Sequence, residues 1–208
     1  MCPERGLAFL PAGCMIFSTV KITMCNGKGG AGKTTLAVLL ATAFQKAGHR
    51  VALVDRDPQG TATRWIEETH DIELAQPDGN HRLVLIDTPP RLESAALQES
   101  LAESDCALLV SSPSPADLWT SQNTVATIQK YLPAGRPARI IFNQVQSRTI
   151  LAKDLAALAQ RIGLPALTAH IGRRQAFQHA ALLGWRALDA ESREELLSAA
   201  LEIAALHP

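Results

Sequence analysis

Gly27-Lys28-Gly29-Gly30-Ala31-Gly32-Lys33-Thr34 is the stretch on which the reading of this chain turns. It fits G-x-x-x-x-G-K-[ST] in full, between a β-rich run, Met15 to Cys25, and a helical one, Lys33 to Ala47. A strand, a glycine-rich loop and a helix, in that order, are what phosphate binding requires. Glycines let backbone amides turn inward around phosphate oxygens, and the helix that follows presents its positive end. Lys33 adds charge for the β- and γ-phosphates, and Thr34 offers a hydroxyl to Mg2+.

Outward from this loop, short β-rich runs alternate with longer helical ones. Strands are expected at Val51 to Val54, Leu83 to Ile86, Cys106 to Val110, Ile140 to Phe142 and Leu164 to Ala169. Helices are expected at Gly60 to Glu68, Asp117 to Tyr131, Leu151 to Ile162, Arg173 to Leu183 and Ser192 to Leu206, with Gln76 to Asn80 a polar turn. Buried parallel strands with helical crossovers imply an α/β fold, a mostly parallel twisted sheet flanked by helices on both faces, of the P-loop NTPase kind. The polar strand ends would then line one ligand crevice.

Two further stretches carry carboxylates to those ends. Leu83-Val84-Leu85-Ile86-Asp87 supplies the second Mg2+ carboxylate, Asp87, directly or through water. Val54-Asp55-Arg56-Asp57-Pro58-Gln59-Gly60 ends another buried strand, and alternation would point Asp55 and Asp57 to one side. A turn built from Pro58 and the Asp side chains is the structural alternative.

The 208 residues accommodate one compact domain with little to spare. Residues 1–14 read as a tail or a mis-called start before Met15, and 15–208 as a single ATPase domain. Arg5 and the apolar Leu7 to Leu10 resemble an export signal, but Pro11 suits its cleavage poorly and a loop that uses cytosolic ATP follows almost at once. No apolar run reaches the ~18 residues of a membrane span. Cys2, Cys14, Cys25 and Cys106 lack C-x-x-C spacing, so neither zinc nor a redox pair is indicated and a cytoplasmic location is expected. His49, His81, His170 and His179 lack metal-ligand spacing, and Trp65, Trp119 and Trp185 read as isolated core or interface anchors.

Net charge is zero, which excludes a uniformly basic nucleic-acid protein, but its distribution is uneven. Lys130 to Arg186 holds nine basic residues against one acid, Asp154, a local excess of +8. The flanks carry −4 each. A polyanion-facing surface and ordinary solvated helix faces both fit that count.

Lys28-Gly29-Gly30-Ala31-Gly32-Lys33-Thr34-Thr35, with a second lysine ahead of the usual one, resembles the deviant Walker A ATPases. Asp55-Arg56-Asp57-Pro58-Gln59-Gly60 is similar to the D-x-D-P-Q of ParA-type partition ATPases. Leu85-Ile86-Asp87-Thr88-Pro89-Pro90, Ser112-Pro113-Ser114-Pro115-Ala116-Asp117-Leu118 and Ile171-Gly172-Arg173-Arg174-Gln175-Ala176-Phe177 have counterparts in the small ParF-like branch of the ParA/MinD family. The resemblance covers nearly the whole chain from Met15.

The resemblance implies a slow, partner-stimulated ATPase that uses ATP and Mg2+ and closes into a sandwich homodimer. Lys28 would reach the partner's phosphates, Asp57 would position the attacking water, and Asp55 would support it. Gly27, Gly29, Gly30, Ala31, Gly32, Lys33, Thr34 and Thr35 would hold the nucleotide, Thr34 and Asp87 the metal. Asn143 resembles the family's adenine-contacting asparagine, with a turn-forming role as the alternative. The ATP dimer would bind DNA without sequence preference and associate with the nucleoid, and a ParB- or ParG-like adaptor on a plasmid, chromosome or protein body would release it. Arg173 and Arg174 are the leading DNA candidates, followed by Arg136, Arg139, Arg148 and Lys153.

Two rival readings remain. MinD-like membrane cycling requires a basic amphipathic C-terminal helix, whereas Glu191, Glu194, Glu195 and Glu202 make this one acidic, so no stable membrane binding is expected. A P-loop kinase or synthetase would act on a small molecule, and Lys28 with Asp55-x-Asp57-Pro58 argues against it.

Overall fold

Valine, leucine and isoleucine runs too short for helices build the sheet. The computed structural model describes residues 19–76 and 79–206. In chain order they form β1 (Val20–Cys25), α1 (Lys33–Lys46), β2 (Val51–Asp55), α2 (Thr61–Thr69), β3 (Glu73–Leu74), β4 (Leu83–Asp87) and α3 (Ala95–Ala102). Then follow β5 (Cys106–Ser111), α4 (Pro115–Tyr131), β6 (Ala138–Phe142), α5 (Leu155–Ile162), α6 (Gln175–Leu183) and α7 (Ala190–Ala204). The expectations for residues 1–14, and for a strand opening at Met15, fall outside the described residues.

The strands lie in the order β3-β2-β4-β1-β5-β6, every pair parallel. The chain leaves β1 toward β2 on one side and reaches β5 on the other, so the order reverses at β1, where open α/β sheets bind ligands. Register sets the carboxylates there too: Asp55 at the end of β2 lies opposite Asp87 at the end of β4.

Strand alternation sorts the core into two layers. Cys106, Leu108 and Val110 of β5 face one way, with Ile22, Met24, Leu53 and Leu85, and are covered by α1, α2, α6 and α7. Ala107 and Leu109 face the other way with Ile140 and Phe142, beneath α3, α4 and α5. Helix α1 lies within the first layer, and every residue from Leu36 to Phe44 is buried. That burial on all sides matches its near-continuous apolar sequence.

Local chemistry moves several boundaries. The strand expected at Leu164 to Ala169 is reduced to a single bridge, Ile140 to Ala166. Pro165 has no N–H to give, and Glu202 of α7 takes the amides of Thr168 and Ala169 at 2.7 and 2.9 Å, so the ladder cannot continue. Helix α4 starts at Pro115, because Ser114 caps it and Pro suits the first helical position. The helix expected from Leu151 divides at Asp154, whose side chain caps α5. Helix α3 adds an element to the expected set; Ser94 caps it and Leu97 and Leu101 stand at i, i+4. Trp65 is buried, whereas Trp119 is 71% exposed and anchors no core.

Candidate nucleotide and magnesium site

The loop between β1 and α1 reverses through two left-handed glycines, Gly30 (φ 77°) and Gly32 (φ 91°), a conformation that side chains resist. Gly32 has a second constraint, since a Cβ there would collide with the Asn143 amide. That amide donates to the Ala31 carbonyl at 2.9 Å, and the Asn143 backbone N–H donates to Ser111 at 2.8 Å. Asn143 thus ties the end of β6 to the loop. Asn26, buried before the loop, donates to the Val110 carbonyl at 2.6 Å and accepts from Lys28 N–H at 2.8 Å. The loop is braced by side chains from both flanks before any phosphate arrives.

Lys33 opens α1 and is buried. Burial lowers the pKa of its ammonium, and the Asp87 charge opposes that effect. Among the described residues its Nζ makes only a long contact to the Lys28 carbonyl, 3.4 Å, within the cradle that a phosphate would fill. Thr34 Oγ1 donates to Asp87 Oδ2 at 2.7 Å. The other carboxylate oxygen, Asp87 Oδ1, is buried with no hydrogen-bond partner. Burial pushes this carboxyl from 3.8 up to about 6, partly offset by the Thr34 bond. An orphaned, desolvated oxygen beside a threonine hydroxyl fits a divalent cation completed by phosphate oxygens and water. Thr34 and Asp87 would hold Mg2+, which when bound supplies charge neutralisation at the β- and γ-phosphates.

Asp55 and Asp57 are less alike than their spacing suggests. Asp55 accepts from Thr63 N–H and Thr63 Oγ1, each at 2.9 Å, and from Asp57 N–H at 3.1 Å, fixing the start of α2. Among the described residues the Asp57 carboxylate accepts from Gln59 N–H alone, at 3.0 Å, which leaves its second oxygen without a partner there. The turn therefore uses Asp55 fully and leaves half of Asp57 available to a water. Arg56 holds this turn against the sheet through the Asp87 carbonyl, Ser100 Oγ at 3.0 Å and a salt bridge to Glu103.

Lys28 turns away from its own cradle. Its ammonium pairs with Asp117 at the head of α4, while its side chain remains 43% exposed. Asp117 is nearly inaccessible at 2% and also accepts from Ser112 N–H and Oγ. Burial alone would raise this carboxyl, but the Lys28 and Ser112 hydrogen bonds outweigh it and hold it below its ordinary range. The sequence showed Ser112 and Asp117 only as parts of a resembling stretch. Their role depends on β5 lying beside β1, which no local pattern reveals.

The six DNA candidates do not form one free basic face. Arg174 is bonded to Glu191 and Glu195 of α7 at 2.5 and 2.7 Å, and those carboxylates raise its pKa further. Arg136 pairs with Asp105 at 3.0 Å, and Arg139 donates to its neighbour's carbonyl. Arg148, Lys153 and Arg173 are exposed with no ion-pair partner among the described residues. A backbone bond from Arg173 to Val145 draws the last of these toward the loop that carries the others. Part of the linear excess of +8 is thus neutralised by the acidic α7 packed against it.

Comparison with known proteins agrees with this geometry. The CobQ/CobB/MinD/ParA nucleotide binding domain family matches residues 22–184. The chain is 37% identical over 193 residues to the maintenance of carboxysome distribution protein A of Gloeobacter kilaueensis, covering 83% of this chain and 88% of that one. The protein of the same name from Halothiobacillus neapolitanus is 30% identical over 184 residues, covering 78% and 84%. A Cyanothece McdA variant in complex with ATP superposes with a TM-score of 0.72 at 13% identity, over 91% of this chain and 98% of that one. Among the described residues no helix is long and apolar enough to cross a membrane.

Proposed function

This chain belongs to the CobQ/CobB/MinD/ParA nucleotide binding domain family, and from that premise we propose a ParA/MinD-type, cargo-positioning ATPase that uses ATP and Mg2+ and works as an ATP-bridged homodimer. The observation that carries the proposal is the pair of lysines in one loop. Lys33 is buried in its own phosphate cradle, whereas Lys28 is exposed and directed out of it. A lysine so placed has no phosphate of its own to reach, and by exchanging Asp117 for a phosphate it can serve the nucleotide of a second copy. Asp57, with one carboxylate oxygen unclaimed beside Asp87, is the residue for orienting the attacking water.

In the ATP state the dimer binds DNA without sequence preference through Arg148, Lys153 and Arg173, each presented twice by the two-fold axis. Avidity then follows the nucleotide, which is what a nucleoid-associated cycle needs. An adaptor protein on the cargo stimulates hydrolysis and releases the dimer. Two relatives named for carboxysome distribution, similar across most of the chain, favour a protein body over a plasmid as the cargo.

Phosphate release and DNA retention, measured with ATP, ADP and no nucleotide, test this reading. Slow Mg2+-dependent hydrolysis and DNA binding confined to the ATP state are expected. Phosphorylation of a small-molecule acceptor without nucleotide-dependent DNA binding would replace it with a kinase-type function.

A further inference from the structure

Three buried hydroxyls stand in an otherwise apolar layer where α3 meets β1: Thr23, Ser100 and Ser104, none more than 2% exposed. Thr23 Oγ1 and Ser104 Oγ lie 2.6 Å apart, and both are within hydrogen-bond distance of the Ser100 carbonyl, at 3.2 and 2.7 Å. Lys21 adds an ion pair to Glu103 at 2.6 Å, and its backbone N–H donates to Asp105 at 2.9 Å. A buried polar network that is satisfied stiffens what it joins. The C-terminal end of α3 is thereby fixed to β1, and from it Ser100 Oγ, at 3.0 Å, and the Glu103 carboxylate hold the Arg56 guanidinium. Burial would raise the Glu103 carboxyl, but the Lys21 hydrogen bond and the Arg56 charge outweigh it and hold it below its ordinary range.

Arg56 immediately precedes Asp57. The turn that carries Asp57 is therefore pinned from both faces of the sheet, with Thr63 of α2 on Asp55 and α3 on Arg56. Asp57 itself has little to hold it, so its direction is set by its neighbours. We propose that Arg56 is a positioning residue for hydrolysis, clamped by Ser100 and Glu103 so that Asp57 meets the attacking water in one orientation. The inference rests on the reading of Asp57 as the water-orienting residue and deepens it. Arginine suits the task because its planar fork reaches a hydroxyl and a carboxylate together, which an ammonium cannot do in one geometry.

Single-turnover hydrolysis and equilibrium ATP binding, measured with Mg2+ on the full chain, separate positioning from folding. Arg56→Ala should hydrolyse ATP about tenfold more slowly than the parent while binding it within about twofold, since a misplacement of about 1 Å costs up to about a hundredfold. Glu103→Ala should slow hydrolysis in the same way, and both changes together should be no slower than Arg56→Ala alone, because they remove one clamp. Arg56→Lys keeps a charge for Glu103 but loses the fork, so its rate should fall between parent and Arg56→Ala. The decisive comparison is made in Asp57→Ala, where adding Arg56→Ala should slow hydrolysis no further. Unaltered hydrolysis in Arg56→Ala, a loss of rate that matches a loss of ATP affinity, or a further loss on top of Asp57→Ala overturns the proposal. Parental turnover in Asp57→Ala alone would instead overturn the assignment of the water to Asp57, and this inference with it.

Discussion

Asp87→Asn should stabilise the nucleotide-free protein while removing its use for Mg2+. Burial raises the carboxyl from 3.8 to about 6 against the pull of the Thr34 bond. At about 1.4 kcal/mol per pKa unit, keeping it ionised in the folded chain at neutral pH costs about 3 kcal/mol. Below about pH 4 the group is protonated in both folded and unfolded chains and costs nothing. Between about pH 4 and 6 only the unfolded chain ionises it, so the folded state loses ground, and above pH 6 the full cost applies. Asparagine keeps an oxygen for the Thr34 hydroxyl but leaves a buried N–H in place of Oδ1, which returns about 1–2 kcal/mol of the gain. Urea unfolding without Mg2+ should therefore find the variant about 1–2 kcal/mol more stable than the parent at pH 7.5, with the gap narrowing toward pH 4. With ATP present, Mg2+ should raise the stability of the parent and leave the variant unchanged. A variant less stable than its parent at pH 7.5, or a gap indifferent to pH, would refute the reasoning.

Asp57→Ala should leave ATP and Mg2+ binding intact and lower single-turnover hydrolysis at least a hundredfold; normal turnover would move water positioning elsewhere, to Asp55 first. Asn143→Ala removes the donor from the buried Ala31 carbonyl, so it should cost about 1–3 kcal/mol in urea unfolding and weaken ATP binding by calorimetry. Charge reversal of Arg148 and Lys153 together should lower the salt dependence of DNA binding by about one in logarithmic slope for each cation lost, with dimer mass unchanged. Reversal of Arg174 should instead lower the melting temperature, because it sets a third acid against Glu191 and Glu195.

The strands and the phosphate loop were legible because their causes are local. Four buried Val, Leu and Ile residues ending in Asp87 can be little else than a central strand, and the glycines before Lys33 permit the left-handed turns that a phosphate loop requires. The second carboxylate pair was only half legible. Spacing gave Asp55 and Asp57 one direction, whereas the structure gives them different work, because Thr63 lies one helical turn into α2 and claims Asp55 from both its hydroxyl and its amide. Charge was the least legible property. A run of basic residues from Lys130 to Arg186 reads as a surface until α7 folds against it and Glu191 and Glu195 meet Arg174. The partner of Lys28 was invisible for the same reason, since Asp117 lies 89 residues away and reaches it only through the pairing of β1 with β5.

The division of labour between the two lysines is the centre of the account, and light scattering tests it most directly. In saturating ATP and Mg2+ the unmutated protein should double its 22.3 kDa mass, and in ADP it should not. Lys28→Ala should bind ATP within a few-fold of the parent yet stay at monomer mass, whereas Lys33→Ala should lose ATP binding altogether. A Lys28→Ala protein that dimerises with ATP as the parent does, or that loses nucleotide as Lys33→Ala does, would contradict the assignment of Lys28 to the nucleotide of a second copy.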